Sequence, residues 1–262
     1  YTVKDTLSLH DALPICIQAD LKTFSALGVY GASALTAVTA QNTRAVTAVE
    51  PLAPGLVTGQ IDAVLDDIAV GAAKTGMLGG PEVIRAVAGR LPDTLPVVVD
   101  PVMVAKSGAV LLPDAAIAAL SADLLPRAAL LTPNLPEAAT LLGEGAADDP
   151  ETMAAQGRRL LAMGPRAVLM KGGHGRGETC VDLLVTAGGV LRLEAPRIAT
   201  RNTHGTGCSL SAAVAAGLAR GAGLEDAVRA AHDWLQGAIR AADGLGIGRG
   251  RGPVHHFHGV WA

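Results

Sequence analysis

The sequence predicts one α/β domain built on a central, mainly parallel sheet. Two observations support this prediction. Short apolar runs that suit buried strands alternate with longer segments of helical periodicity, as in strand–helix–strand crossovers. At 262 residues the chain is also long enough for one large core, and half of its residues are hydrophobic while only 2% are aromatic. We therefore expect a core of Ala, Val, Leu and Ile.

Each predicted element follows from its local pattern. Four apolar runs are predicted strands: residues 96–100, 129–132, 167–170 and, more weakly, 69–75. Two apolar runs within residues 181–193 flank Gly188-Gly189, which predicts a β-hairpin. Helical spacing predicts helices over residues 136–142, 151–163, 209–218 and 224–242. No internal repeat or long linker divides the chain, so we predict a single domain over residues 16–262.

The first fifteen residues are interpreted separately. Residues 6–15 are one reading frame of a common sequencing-adapter oligonucleotide, ACT CTT TCC CTA CAC GAC GCT CTT CCG ATC. We interpret residues 1–15 as an adapter-derived, non-native segment and exclude it from the fold prediction. The alternative is a natural N-terminal arm.

Composition excludes several classes of function. The net charge is −3, and no block of like charges suggests nucleic acid as a partner. No run of eighteen apolar residues predicts a membrane span. The cysteines Cys16, Cys180 and Cys208 are odd in number and far apart, which fits a reducing cytosol better than a disulfide framework. No cysteine–histidine spacing predicts a zinc site.

The strongest chemical pattern is Gly205-Thr206-Gly207-Cys208, which directly precedes an alanine-rich helix. Glycines allow the backbone to approach a ligand, and a helix start offers N–H groups and partial positive charge. The pattern therefore predicts an anion hole for a phosphoryl group. Cys208, at the helix start where thiols deprotonate more readily, is a candidate base. The alternative is an ordinary glycine-rich helix start with a small buried cysteine.

Asn134 and Glu137 lie three residues apart across a predicted strand-to-helix turn. An amide and a carboxylate there are candidates to hold hydrated Mg²⁺ beside ATP phosphates. The alternative is that Asn134 caps the helix, with Glu137 in its first turn.

Lys171 directly follows a predicted strand, at the edge where open α/β sheets bind ligands, and is a candidate phosphate contact. The alternative is a solvated lysine before a glycine turn. The spacing of a Walker A loop is absent.

Asp20 and Gln41 are candidates to recognise the edge of a nitrogen heterocycle. The alternative is that these are surface polar residues and caps. His255, His256 and His258 favour a packed or exposed tail over a metal site.

The chain resembles the hydroxymethylpyrimidine/phosphomethylpyrimidine kinases of thiamin biosynthesis, in the ribokinase-like superfamily. It carries the matching segments in the same order as that family. The resemblance runs from Ile17 to the end of the chain and rests on eight segments: residues 17–23, 40–43, 74–78, 100–103, 132–138, 170–174, 202–208 and 252–257. It implies a ribokinase-like sheet flanked by helices on both faces. It also implies that ATP phosphorylates 4-amino-5-hydroxymethyl-2-methylpyrimidine, and that a second ATP converts the monophosphate to the diphosphate.

The resemblance also implies residue roles. Asp20 and Gln41 would hold the pyrimidine. The segment from Gly205 through Thr206 and Gly207 to Cys208 would form the anion hole. The Mg·ATP side would use four residues: Asn134, Glu137, Lys171 and Asp100. Cofactors would be ATP and Mg²⁺, with the Mg²⁺ near Glu137.

Cys208 distinguishes this chain from the sugar kinases of the superfamily, which carry an aspartate at this position. A pyridoxal or pyridoxamine kinase on the same fold, or a non-catalytic ligand-binding homologue, remain alternatives. By resemblance we expect a homodimer in the cytoplasm. Relatives begin with a strand and a glycine-rich turn, which residues 3–13 do not resemble, so we expect the chain as written to be less stable and poorly active.

Overall fold

The computed structural model describes residues 5–12 (as backbone), 16–103, 112–174 and 177–261. The strands are β1 (Asp5–Ala12), β2 (Tyr30–Gln41), β3 (Val46–Pro51), β4 (Val70–Thr75), β5 (Val97–Val99), β6 (Leu130–Leu131), β7 (Ala167–Met170), β8 (Thr179–Thr186) and β9 (Gly189–Pro196). The α-helices are α1 (Cys16–Ala26), α2 (Pro54–Asp67), α3 (Pro81–Arg90), α4 (Asp114–Ala119), α5 (Leu135–Leu142), α6 (Pro150–Leu161), α7 (Thr206–Ala219) and α8 (Leu224–Arg240).

The strands form one nine-stranded sheet in the order β3-β2-β1-β4-β5-β6-β7-β8-β9. Neighbours from β2 to β7 are parallel, whereas β3, β8 and β9 are antiparallel additions at the two sides. Parallel neighbours need crossover connections, and helices supply them. The predicted mainly parallel sheet and the predicted hairpin, now β8–β9, are both confirmed.

Side chains alternate between the two faces of the sheet and bury two apolar layers. Val97 and Val99 pack into the layer covered by α2 to α6, while Val98 packs into the layer covered by α1, α7 and α8. Each β-strand residue points to the face opposite that of its neighbour, so a strand covered on both sides reads as an unbroken apolar run. The predicted ribokinase-like arrangement, with helices on both faces, is confirmed.

Residues Asp5–Ala12 occupy a central position, although the sequence led us to expect no strand there. This strand pairs in parallel with β2 on one side and with β4 on the other. Backbone N–H and C=O groups make these ladder bonds whatever the side chains are, so a segment without the family's apolar run still fills the position.

Candidate functional site

The loop before α7 turns at Gly205. This residue has φ +81°, in the left-handed region that glycine adopts without strain, and it caps the helix. The Ser209 N–H donates to the Gly205 carbonyl at 2.8 Å, which closes the first helical turn. A helix start leaves backbone N–H groups without helical partners and carries partial positive charge. The structure therefore places the predicted anion hole, Gly205 to Cys208, at the start of a long buried helix.

Cys208 is buried in the first turn of α7, with 8% of its surface exposed. Its thiol lies 3.7 Å from the thiol of Cys16, the first residue of α1. Ser211 Oγ donates to the Cys208 carbonyl at 3.0 Å and lies 3.4 Å from Asp100 Oδ2. The starts of two helices and the end of β5 thus meet at Cys208.

Lys171 and Asp100 form a close ion pair at the carboxyl edge of the sheet. The Lys171 ammonium donates to Asp100 Oδ1 at 2.7 Å, and Thr132 Oγ1 donates to the same oxygen at 3.2 Å. Burial opposes the charge on Lys171, but the carboxylates of Asp100 and Glu137 outweigh it and raise the lysine pKa. The raised pKa favours the charged form of Lys171, which lies beside the start of α7.

Gly207 brings the start of α7 against this ion pair. A Cβ built on Gly207 would lie 3.2 Å from Lys171 Nζ and 3.7 Å from Asp100 Oδ2. The missing side chain is what allows the α7 backbone to approach the two charged groups. The candidates Gly207, Lys171 and Asp100, which lie far apart in sequence, therefore belong to one site.

Asn134 and Glu137 form a capping box at the start of α5. The Glu137 N–H donates to Asn134 Oδ1 at 2.9 Å, and the Asn134 N–H donates to Glu137 Oε2 at 2.8 Å. The sequence offered this arrangement as an alternative, with Asn134 capping the helix and Glu137 in its first turn. The two hydrogen bonds hold the Glu137 side chain in a buried position. Burial raises the pKa of Glu137 to about 7, with Lys171 acting in the opposite direction and Asp100 adding to the rise.

Asp20 lies on α1 and is fully buried, where it pairs with Lys74 of β4. The Lys74 ammonium donates to both Asp20 oxygens, at 3.2 and 3.1 Å, and neither side chain is exposed. Burial disfavours the Lys74 cation, but Asp20, Cys208 and Asp100 outweigh it and raise its pKa. Both carboxylate oxygens of Asp20 therefore contact Lys74 in the fully buried pair.

Gln41 is the last residue of β2, where the pairing with β3 shifts register. Asn42 Oδ1 then accepts the N–H groups of Arg44 and Ala45, at 2.8 and 3.1 Å, and so holds the turn that follows. A register shift of this kind re-aims the side chain beside it. Gln41 therefore stands at a defined bend on the β1–β2 side of the sheet, away from the strand that carries Lys171.

Oxygen donors fit a magnesium ion on the phosphate side. Within the described residues, no group of three His, Cys, Asp or Glu side chains is placed to bind a metal. Mg²⁺ needs fewer protein ligands, since one or two carboxylates together with waters and substrate phosphates suffice. Asp100 and Glu137 are two carboxylates whose charges both act on Lys171, so their chemistry fits the ion.

The sequence left four residues of this site without an assigned role: Cys16, Lys74, Thr132 and Ser211. Lys74 had a usable signal, because a lysine inside an otherwise small and apolar strand needs a buried acidic partner. The other three had none, since ordinary polar side chains become functional only through the contacts that folding makes.

A glycine-lined helix start, a half-buried lysine and carboxylates meet at the carboxyl edge of the parallel sheet, where α/β proteins bind phosphates. The class is therefore that of the α/β phosphotransferases. The family model described as phosphomethylpyrimidine kinase matches residues 16–255, and the chain belongs to that family. No helix among the described residues has the length and apolar character to cross a bilayer.

Similarity to individual known proteins supports this family assignment. The chain is 56% identical to the hydroxymethylpyrimidine/phosphomethylpyrimidine kinase of Rhizobium meliloti over 246 residues, covering 94% of this chain and 92% of that protein. Among solved structures, a phosphomethylpyrimidine kinase from Clostridium difficile matches with a TM-score of 0.78 at 40% identity, covering 90% of this chain and 99% of the other. An ADP complex of Bacillus subtilis pyridoxal kinase matches with a TM-score of 0.88 at 33% identity, covering 97% and 98%.

Proposed function

We propose that this protein transfers the γ-phosphoryl group of ATP to the hydroxymethyl group of 4-amino-5-hydroxymethyl-2-methylpyrimidine, and then phosphorylates the monophosphate to the diphosphate. This pair of steps belongs to thiamin biosynthesis. The observation that supports the proposal is the buried Cys208 at the start of α7, next to Gly207, whose backbone lies against Lys171 and Asp100. The acceptor substrate is inferred from membership of the phosphomethylpyrimidine kinase family.

Cys208 is the proposed base in the first transfer. Its sulfur takes the proton of the substrate hydroxyl as that oxygen bonds to the γ-phosphorus of ATP. The bond from the γ-phosphorus to the bridging oxygen breaks, and ADP leaves with the electron pair. The N–H groups at Gly205 to Cys208 bind the oxygens of the transferring group, where negative charge must be stabilised.

Lys171 and its neighbours serve the nucleotide side. Lys171 binds phosphate oxygens as a fixed cation, and Asp100 orients it through their 2.7 Å contact. Glu137 and Asp100 would hold Mg²⁺, and Asn134 places Glu137 through the capping box. When bound, the metal ion neutralises charge on the β- and γ-phosphates.

The pyrimidine side uses Gln41 and Asp20. The Gln41 amide can both donate to and accept from the edge of an aminopyrimidine. Asp20 acts through Lys74, which it holds fully buried near Cys208. We place the reaction in the cytoplasm, where ATP is available and the thiols of Cys16 and Cys208 stay reduced. The enzyme is proposed to work as a homodimer, in keeping with its family resemblance.

A second candidate substrate is pyridoxal, or its amine pyridoxamine. The likeness to the B. subtilis pyridoxal kinase, with a TM-score of 0.88, favours it. A panel of the pyrimidine alcohol, its monophosphate, pyridoxal and pyridoxamine separates the two proposals when ADP release and phosphorylated products are measured with Mg·ATP. The highest kcat/KM is expected for the two pyrimidines. A higher kcat/KM for pyridoxal would overturn the first proposal, and no turnover of any acceptor would favour a non-catalytic ligand-binding protein.

We further propose that residues 1–15 derive from adapter DNA and are not native. The run of ten matching codons supports this, as does the start of the family match at residue 16. Genomic DNA upstream of the Ile17 codon tests the proposal, which is wrong if that DNA encodes residues 1–15. We expect the chain as written to turn over more slowly than a version with a family-like first strand.

A further inference from the structure

The chain after α8 returns to the site through residues 248–256, here called the C-terminal strap. Part of this segment belongs to the family pattern in the sequence, yet none of its residues has a role in the proposed reaction. The strap contacts the turn after β2 at one end and the loop before α7 at the other. These two places are the pyrimidine side and the phosphate side of the site.

The first end of the strap is bound to Thr43. The Gly250 N–H donates to Thr43 Oγ1 at 3.2 Å, and the Arg251 N–H donates to the Thr43 carbonyl at 3.0 Å. A Cβ on Gly250 would collide with that carbonyl, and Gly248 has φ +72°. The two glycines therefore permit a close approach to the residue that follows Gln41 and Asn42.

The strap then runs beside the anion-hole loop. The Gly252 N–H donates to Asn202 Oδ1 at 2.9 Å. The His204 N–H donates to the Gly252 carbonyl at 3.0 Å, and the Val254 N–H donates to the His204 carbonyl at 3.3 Å. These backbone bonds pair the strap with the loop like neighbouring strands, so movement of one segment moves the other.

The strap ends on α7 itself. His256 Nε2 lies 3.0 Å from Ser209 Oγ, and both residues are buried. Burial, and then the nearby Lys22, lower the pKa of His256 to about 4. The ring is therefore neutral near pH 7, and the contact persists across the range in which kinases are assayed. Ser209 directly follows Cys208, so this contact fixes the helical turn that carries the proposed base.

We propose that the C-terminal strap holds the turn after β2 and the start of α7 at a fixed separation, with Thr43 and His256 as positioning residues for phosphoryl transfer. The inference rests on the proposed function. Neither side chain touches the reacting atoms in this role. Each sets where the acceptor hydroxyl stands relative to the anion hole, and small displacements of reacting groups cost large factors in rate.

Turnover tests the end of the strap that binds α7. Ser209→Ala and His256→Phe each remove the contact, and each is expected to lower kcat about tenfold while the KM for ATP stays within about twofold. In a double-mutant cycle their effects should not add, because they break one interaction. His256→Gln, whose amide can reach the hydroxyl, should recover most of the loss.

His255→Phe is the matched control, since the His255 ring lies 5.4 Å from the Trp261 ring and forms no part of the described strap contacts. The proposal is overturned if Ser209→Ala and His256→Phe both fold and turn over like the unchanged enzyme. An equal loss in His255→Phe would also overturn it.

Amide hydrogen exchange tests the coupling without any substrate. His256→Phe should speed exchange at residues 42–45, and Thr43→Val should speed exchange at residues 203–207, because coupling between two sites is reciprocal. Thr47→Val is the control, as Thr47 Oγ1 donates only within the β2–β3 hairpin, to the Ala40 carbonyl at 3.0 Å. Changes confined to each variant's own end would overturn the proposal. Reciprocal changes in an enzyme that does not phosphorylate the pyrimidine would support the strap and overturn the proposed function instead.

Discussion

The Lys171 ammonium and the Cα of Gly207 are separated by no side chain: a Cβ added at Gly207 would stand 3.2 Å from Lys171 Nζ. The lysine directly follows β7 and the glycine lies in the first turn of α7, so the proposed phosphate side is assembled from two distant parts of the chain. Because Lys171 Nζ and the Gly207 backbone lie so close together, a small change at either residue displaces the other.

Gly207→Ala is expected to lower turnover without unfolding the protein. The new methyl group displaces Lys171 Nζ by a few tenths of an ångström and narrows the anion hole, whereas alanine favours the helix by up to about 1 kcal/mol. Steady-state kinetics should show a lower kcat and a higher KM for ATP, and urea unfolding should show unchanged or higher stability. Gly89→Ala in α3, where a Cβ meets nothing within 4 Å, is the control and should leave both kinetic constants unchanged.

Cys208→Ala should reduce kcat by about 10²- to 10⁴-fold, the range for loss of a general base. The KM for ATP should change little, because the backbone of the anion hole remains. The matched control is Cys16→Ala, which removes the thiol 3.7 Å away and should keep most activity. Full phosphorylation of the pyrimidine by Cys208→Ala would remove Cys208 from the role of base.

Lys74→Met should destabilise the fold, because it removes the ammonium that the fully buried Asp20 carboxylate contacts with both oxygens. Breaking a buried pair costs about 3–5 kcal/mol. The double variant Asp20→Asn/Lys74→Met removes both charges and should recover most of the loss, as measured by urea unfolding at pH 7. Its turnover should stay low if the pair also serves the pyrimidine side. A single variant as stable as the unchanged protein would contradict the importance of this pair.

The buried carboxyl of Glu137 should make stability depend on pH. Its pKa is raised from 4.5 to about 7 in the folded protein, mainly by burial. A raised carboxyl pKa stabilises the fold at low pH, and this contribution is lost as pH rises from 4.5 through about 7. Glu137→Gln keeps the capping acceptor without the titration. Urea unfolding should therefore show that the free energy of unfolding of the unchanged protein, minus that of Glu137→Gln, decreases as pH rises from 5 to 8. A difference that stays flat or rises would contradict the raised pKa of Glu137.

Strongly patterned elements could be predicted from the sequence, and elements defined by long-range contacts could not. β7 was predicted with its observed bounds, Ala167–Met170, because four apolar residues buried on both faces leave little ambiguity. β2 was missed, since its small and polar residues match neither periodicity clearly. The same limit applied to the site. The sequence placed Lys171 at a strand end, but only folding revealed its contact with Asp100, 71 residues away.

The central strand position that β1 fills lies between strands that are translated early. Synthesis runs from the N-terminus, and both hydrogen-bonding neighbours of this strand are complete once the ribosome has added Thr75. The half of the sheet that bears Gln41 is thus translated before Lys171 and Cys208. Lys171 and Cys208 are translated later, and residues 248–256, translated later still, then connect the start of α7 to the turn after β2.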